Sequence, residues 1–388
     1  MTLLQGLAWL PVAVWVYLVA FRAMFWLPTV RLGPVRSPER WPTVAVVVPA
    51  RNEADLVVTT LPGLTEQDYP GRAEVFLVDD CSDDSTADSA VQATSGGSLR
   101  LTVVNGRHRP DGWVGKTWAL KQGVDAASGV FEADYFLFTD ADIHHPPDSL
   151  RRLVSEAEAR ERDLVSLMAR LRTATAWERL IVPAFVYFFS QLYPFRLVAR
   201  QGTRTAAAAG GCVLVRRASL EKAGGVAAIA GAIIDDVALA RAVKRSGGSI
   251  WLGYADEVTS VRPYPRLADL WDMVSRSAYT QLRYSPAALA GTVLGLAVIY
   301  LGPVVALLAG LAGPDPLVAA GGLVGVVLLT ASYLPMIRYY RLPRRWCLTL
   351  PLAATFYGAM TVDSARRHRR GRGAAWKGRT YAGDPING

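Results

Sequence analysis

The stretch Tyr135-Phe136-Leu137-Phe138-Thr139-Asp140-Ala141-Asp142-Ile143 decides how the rest of the chain is read. Four strand-forming residues run into two aspartates separated by one small residue. Successive side chains of a strand alternate faces, so residues i and i+2 point the same way. At a strand's end, Asp140 and Asp142 therefore converge on one point of a cleft. Two adjacent carboxylates repel each other unless a cation sits beside them. Hard oxygen ligands of this kind suit Mg2+ or Mn2+, which in turn favour a diphosphate. The alternative is a pair of loop aspartates facing water.

Outward from this point, strands and helices alternate between Pro42 and about Tyr264. The β-branched run 43–48 ends at Pro49, the pattern of a strand buried on both faces. Residues 75–78 repeat it and end in Asp79-Asp80-Cys81-Ser82, and residues 101–104 and 135–138 supply two more strands. Helical segments fall between them, such as 117–127. Another opens at Pro146, Pro147 and Asp148 or Ser149, with Leu150, Leu153, Val154 and Ala157 on one face. The alternation predicts an α/β domain with a mostly parallel sheet that binds ligands at the carboxyl ends of its strands. Arg51-Asn52-Glu53, Asp79-Asp80 and Asp140-Asp142 all fall at such ends.

Further on, the small-residue run 206–211 leads into a short strand at 212–215 and allows a ligand close to the backbone. Asp235-Asp236 then opens an amphipathic helix, with Leu239, Ala242 and Val243 on one side and Arg241, Lys244 and Arg245 on the other. One aspartate suffices to cap such a helix and offset its dipole. The second is available as a general base if the cleft lies nearby.

The ends of the chain are different. Hydrophobic residues make up 51% of the 388 and charged residues 19%, too apolar a balance for a purely soluble enzyme. Residues 3–21 are apolar apart from Gln5, long enough to cross about 30 Å of hydrocarbon. A cleaved signal peptide is the rival, but no basic region precedes the run. Residues 287–311 and 317–336 carry no charge and are joined by Gly313-Pro314-Asp315-Pro316, which predicts a membrane hairpin. Arginines 22, 31, 36 and 40, and again 338, 341, 344 and 345, put the intervening domain in the cytoplasm by the positive-inside rule. The aromatic stretch 181–197 is interrupted by Pro183, Gln191, Pro194 and Arg196. It reads as an interfacial segment, about 178–199, the alternative being a buried core helix.

A weaker run, 346–362, either spans or is re-entrant. The expected organisation is an anchor at 1–27, an α/β domain at 42–284, a membrane region at 286–362 and a basic cytoplasmic tail at 363–388. The net charge of +9 suits an anionic membrane surface, since the arginines flank apolar runs, and no nucleic-acid partner is expected. Cys81, Cys212 and Cys347 have no metal-ligand spacing and point to a reducing compartment without a disulfide framework.

Five motifs together resemble family 2 glycosyltransferases, the inverting, nucleotide-sugar-dependent GT-A group. They are Pro49-Ala50-Arg51-Asn52-Glu53, Val78-Asp79-Asp80-Cys81-Ser82-Asp83-Asp84-Ser85-Thr86, Gly115-Lys116, Asp140-Ala141-Asp142 and Asp235-Asp236-Val237-Ala238-Leu239. The resemblance covers about residues 43–284. The flanking apolar segments, Pro110-Asp111-Gly112-Trp113-Val114-Gly115-Lys116 and Trp376-Lys377-Gly378-Arg379-Thr380-Tyr381 are similar, more narrowly, to the hopene-associated glycosyltransferases of bacteria.

The resemblance implies a GT-A fold with a nucleotide site formed by Pro49, Arg51, Glu53, Asp79, Asp80, Lys116 and Asp140. It also implies Mg2+ or Mn2+ on Asp140 and Asp142, with Asp236 as catalytic base. Asp235 and Arg283 become contacts for the acceptor or the diphosphate. The implied partners are a nucleotide-diphosphate sugar of the UDP type and a hopanoid or polyprenoid lipid, met at a bacterial inner membrane by a multi-pass protein. The bland alternatives are a capped turn at 79–86, a solvated Lys116 and a helix-entry loop for His144 and His145.

The chain departs from the family in two places: Asp235 replaces the usual Glu, and Thr280-Gln281-Leu282-Arg283-Tyr284 stands where processive members carry Gln-x-x-Arg-Trp. The second departure favours a single transfer over a processive polysaccharide synthase. A non-catalytic membrane scaffold is the reading from another class, and the retained aspartates argue against it.

Overall fold

The computed structural model describes residues 2–371, 373, 375–376 and 379–380. Arg372, Lys377, Gly378 and Tyr381, which belong to the tail and its motif, lie outside the described residues.

The chain begins with helix α1 (Leu3–Phe21) and then forms an α/β domain. Its first half is β1 (Val44–Ala50), α2 (Ala54–Thr65), β2 (Ala73–Asp79), α3 (Thr86–Ala93), β3 (Arg100–Asn105), α4 (Gly115–Ser128), β4 (Tyr135–Thr139), β5 (Ile143–His144) and α5 (Ser149–Ala159). The second half is β6 (Leu164–Arg170), α6 (Ala176–Leu192), α7 (Phe195–Val198), β7 (Cys212–Arg216), α8 (Arg217–Lys222), α9 (Asp235–Arg245) and β8 (Ile250–Ser260). The helices α10 (Leu267–Ser275), α11 (Ala278–Gln281), α12 (Pro286–Leu296), α13 (Gly302–Ala312), α14 (Pro316–Tyr339) and α15 (Leu350–Arg369) follow.

The eight strands form one sheet in the order β3-β2-β1-β4-β7-β6-β8-β5. β3, β2, β1 and β4 pair in parallel. β7 is antiparallel to both its neighbours, β6 and β8 are parallel, and β5 closes the edge antiparallel to β8. Ala50 is level with Asp79 and Val47 with Phe138, so the carboxyl ends of β1, β2 and β4 finish together. All seven residues of β1 are buried, as its unbroken apolar run requires.

Five strands, β1 to β4 and β7, and the helix at 117–127 fall where the sequence puts them, but β5, β6 and β8 were not anticipated. Between β8 and α12 the helical stretch is broken at Arg276-Ser277 into α10 and α11.

The two faces of the sheet bury different cores. Val44, Val46 and Val48 meet Leu61, Leu64 and Leu153 on one side. On the other, Ala45 and Val47 join a cluster that runs through Val182 and Tyr187 to Tyr333, Met336 and Tyr357. The α/β domain and the helical region therefore share one core.

Among the described residues, four helices are long and apolar enough to cross a membrane: α1, the continuous stretch Ala176–Val198, Pro286–Ala312 and α14. They are not equally exposed. The best window of Ala176–Val198 is 61% buried within the molecule, against 22% for Pro286–Ala312, so this aromatic stretch is closer to the core-helix alternative. At the end of α14, the Tyr339 hydroxyl donates to the Ala255 carbonyl of β8 at 2.7 Å. At the far end of α15, Arg367 pairs with Asp272 at 2.6 Å and Ser364 accepts from the Tyr279 N–H at 3.0 Å. The 346–362 run therefore belongs to a segment that leaves the α/β domain and returns to it.

Candidate active site

A cavity of about 550 Å3 opens at the carboxyl ends of the strands. Its walls include Pro49, Glu53, Lys116, Asp140, Asp142, Asp235, Arg262 and Tyr264. A narrow cleft lined by Lys116, Asp140 and Asp235 continues from it to Asp236 and Gly210. Six of the residues singled out in the sequence thus meet in one cavity wall, with Asp236 at its inner end.

Local folding explains each placement. Asp140 directly follows β4, Lys116 sits in the first turn of α4, and Asp235 and Asp236 open the first turn of α9. Lys116 Nζ lies 2.8 Å from Asp140 Oδ1 and 3.2 Å from Asp235 Oδ2. Burial opposes the charge on Lys116, but Asp140 and Asp235 outweigh it and hold the ammonium protonated. Burial raises the carboxyl of Asp140 in spite of this neighbour.

Asp236 Oδ2 accepts from the Gly210 N–H at 2.7 Å, and Oδ1 accepts from the Val237 N–H at 2.7 Å. A Cβ built on Gly210 would stand 3.0 Å from Lys116 Nζ and 3.3 Å from Asp236 Oδ2. The small-residue run before β7 is what brings the backbone this close. Burial, and then the negative charge of Asp235, push the Asp236 carboxyl up to about 7. That is a suitable range for a group that takes a proton near neutrality.

Asp142 is held differently. Its Oδ2 accepts from the Ser260 hydroxyl at 2.9 Å and from Arg262 Nε at 3.1 Å. The same guanidinium reaches Glu53 Oε1 at 2.5 Å. Burial works against the Arg262 charge, and Asp142 and Glu53 reverse it. Arg262, which the sequence reading missed, therefore ties the first motif to the paired aspartates. Its signal was present: it follows β8 and precedes Pro263, the strand-end position that drew attention to the other residues.

The remaining sequence-derived residues brace the site or lie apart from it. Of the described residues lining the cavity, none is Arg51, Asp79, Asp80 or Arg283. Arg51 donates to the carbonyls of Asp80 and Cys81, both at 2.6 Å. Asp79 accepts from the N–H of Ser82 at 3.0 Å and from its hydroxyl, so these residues shape the turn into α3. Asp80 is fully buried, and its N–H donates to the Ala50 carbonyl at 2.8 Å. Arg283 occupies an exposed left-handed turn between α11 and α12.

His145 is buried between Thr139 Oγ1 at 2.8 Å and Ser149 Oγ at 3.1 Å, and burial holds its ring neutral with a pKa of about 3. It is a structural link between β4 and α5.

Among the described residues, no three His, Cys, Asp or Glu side chains gather into a closed metal cage. Asp140 and Asp142 offer hard oxygens to one cavity. That set suits an ion which completes its shell with ligand oxygens and water, as Mg2+ does.

Models of two related families match the chain: "Glycosyl transferase family 2" over residues 45–224, and "Glycosyl transferase family group 2" over residues 135–360, more than half of its length. The chain belongs to glycosyl transferase family group 2. It is 33% identical over 134 residues to a dodecaprenyl-phosphate galacturonate synthase of Rhizobium johnstonii, a match covering 34% of this chain and 36% of the relative. It is also 33% identical over 135 residues to an undecaprenyl-phosphate 4-deoxy-4-formamido-L-arabinose transferase of Serratia proteamaculans, covering 33% and 36%. The chain thus spans about a third of the length of the curated relatives it matches.

Among solved structures, a mannosyltransferase of Pyrobaculum calidifontis, in complex with GDP-Man and Mn2+, superposes with a TM-score of 0.55. The identity is 21%, over 93% of this chain and 98% of the other. At that identity the likeness establishes the fold: the α/β domain of this glycosyltransferase is of the GT-A type, with apolar helices flanking it.

Proposed function

We propose that this glycosyltransferase moves a single sugar, with inversion, from a nucleotide-diphosphate sugar, UDP-linked in our reading, to an oxygen of a membrane lipid. The observation that carries the proposal is the row Asp140–Lys116–Asp235 on one cavity wall, leading to Asp236 with a carboxyl of about 7. A cation between carboxylates suits a diphosphate group, and a carboxylate that titrates near neutrality suits the removal of a proton from an attacking oxygen.

In this reading the donor's diphosphate lies toward Lys116 and the start of α4, whose backbone N–H groups favour an anion. Glu53, Asp79 and Asp80 serve the nucleoside, with Arg51 and Pro49 shaping the approach. Asp140 and Asp142 would hold Mg2+ or Mn2+, which supplies charge stabilisation for the leaving diphosphate. Asp236 receives the acceptor's proton as the acceptor oxygen attacks the anomeric carbon from the face opposite the diphosphate. Asp235 keeps Lys116 oriented.

The acceptor is read as a hydroxyl of a hopanoid or polyprenoid. The names of the two relatives favour a second reading, in which the oxygen belongs to a lipid phosphate. The four apolar helices support a multi-pass protein of a bacterial inner membrane with its α/β domain in the cytoplasm.

The test is sugar transfer from UDP-sugars to extracted lipid, by the full chain in lipid with Mn2+. Asp236→Asn is expected to lose roughly 100- to 10,000-fold in turnover with donor binding kept, and Asp142→Ala to lose Mn2+-dependent donor binding. Wild-type turnover in both variants would refute the assignment, and products longer than one sugar would favour the polysaccharide synthase.

A further inference from the structure

A second cavity, of about 500 Å3, lies outside the site described above, between α10, α12 and α15. Val293, Leu296 and Leu301 form one wall and Ala354, Gly358 and Val362 the other, with Asp363 and Arg366 at the rim. None of the α12 residues is buried, so this wall also faces the surroundings of the protein. Val293 lies seven residues beyond Pro286, about 10 Å along a helix that is apolar enough to span a bilayer. After Leu296 the helix widens into a π-helical turn, Ala297–Leu301, which contributes Ala297 and Leu301 to the groove.

The groove and the active-site cavity are back to back. Trp271 of α10 lines the groove, and its neighbours Asp272 and Met273 line the cavity. On α15, Arg366 lines the groove and Arg367 the cavity. The partition is a set of polar contacts: Arg367 pairs with Asp272 at 2.6 Å and with Asp363 at 2.7 Å, and Trp271 Nε1 donates to Asp363 at 2.9 Å. These contacts pair Asp272 and Asp363 with Arg367. Arg366 on the groove side and Arg276 on the cavity side form no ion pair among the described residues. The apolar groove therefore ends near two guanidiniums that stand outside the ion pairs of the partition, with Asp363 the acidic neighbour of Arg366.

We propose that this groove holds the hydrocarbon chain of the acceptor lipid, and that the lipid is a long-chain phosphate monoester. Its head sits between Arg366 and Arg276 and turns past the Arg367–Asp272 pair toward Asp236. A guanidinium binds phosphate oxygens in bidentate fashion, whereas a neutral alcohol brings neither arginine a charged partner of its own. The proposal rests on the glycosyltransferase reading above and takes its second form, the lipid phosphate, in place of a lipid hydroxyl.

The test uses the full chain in nanodiscs with a long-chain prenyl phosphate that carries a diazirine on its tail. Photolabelling and peptide mapping should place the tail on residues 293–301 and 354–362. Gly358→Leu, which fills the groove, and Val362→Phe, at a position 46% exposed, should each raise the acceptor KM at least tenfold and leave the donor KM unchanged. Arg366→Gln should weaken the prenyl phosphate and not the corresponding prenyl alcohol. Labelling confined to other helices, or an unchanged acceptor KM in both filling variants, overturns the groove. Prenyl alcohol or a hopanoid competing as well as the phosphate overturns the head. If the wild-type chain transfers sugar to no lipid at all, the functional reading itself fails, a result distinct from the other two.

Discussion

Near neutral pH Asp236 is close to half protonated, because burial and Asp235 carry its carboxyl to about 7 while the unfolded chain keeps it near 3.8. The folded state therefore binds more protons than the unfolded state between those values. The contribution of this group to stability falls as pH rises through that window, while its competence as a base increases. We expect kcat/KM to rise with pH along a limb centred near 7 in the free enzyme. Lys116 is the positive group that restrains Asp236 from a still higher value. In Lys116→Gln the limb should move to higher pH, whatever happens to the donor KM. A limb that stays in place would mean that Lys116 does not act on the base.

Much of this site was legible in the sequence, because Asp140, Lys116, Asp235 and Asp236 each follow a strand or open a helix, and position on an element is a local property. Arg262 was not legible as a partner, since its pairing with Glu53 spans 209 residues and depends on the end of β8 pairing with β5, directly after Asp142. Arg51 and Asp79 looked like ligand groups in the sequence, yet their bonds go to the turn that follows.

At the scale of elements, the contact of α13 with α14 depends on small residues. A Cβ on Gly322 would stand 2.1 Å from the Leu307 N, and one on Gly310 would stand 2.2 Å from the Ala319 N. In a bilayer, where no hydrophobic effect drives helices together, such close approach supplies packing energy. Gly322→Val should force the pair apart and cost about 1–3 kcal/mol, the usual penalty of overpacking. The measurement is thermal unfolding in detergent. Gly291→Val is the comparison, because a side chain there meets nothing within 4 Å. Equal melting temperatures for the two variants would contradict the packing argument. The hairpin was readable from its uncharged runs. The course of α15 was not, because Ser364 and Arg367 reveal their attachment to α10 and α11 only once those helices are in place.

For the whole molecule, the attachment of both ends of the α15 segment to the α/β domain predicts sidedness. In a background with Cys81→Ser, a cysteine at Asp315, between α13 and α14, should react with an impermeant maleimide in intact cells. A cysteine at Leu348, which is 63% exposed, or at Arg369, should react only after permeabilisation. Labelling of Arg369→Cys from outside would mean that α15 crosses. The arginine runs had pointed to the cytoplasmic side for residues 338–345 but left 346–362 ambiguous, because charge counting cannot distinguish a crossing from a return.

The core shared between the sheet and the helices has a practical consequence. Ala45 and Val47 belong to the cluster that includes Tyr333 and Met336, so the strands next to the site rest on α14 at one remove. A fragment trimmed to residues 42–284 would carry that apolar flank bare into water and tend to clump. Purification is better begun with every helix retained and lipid supplied from the first step.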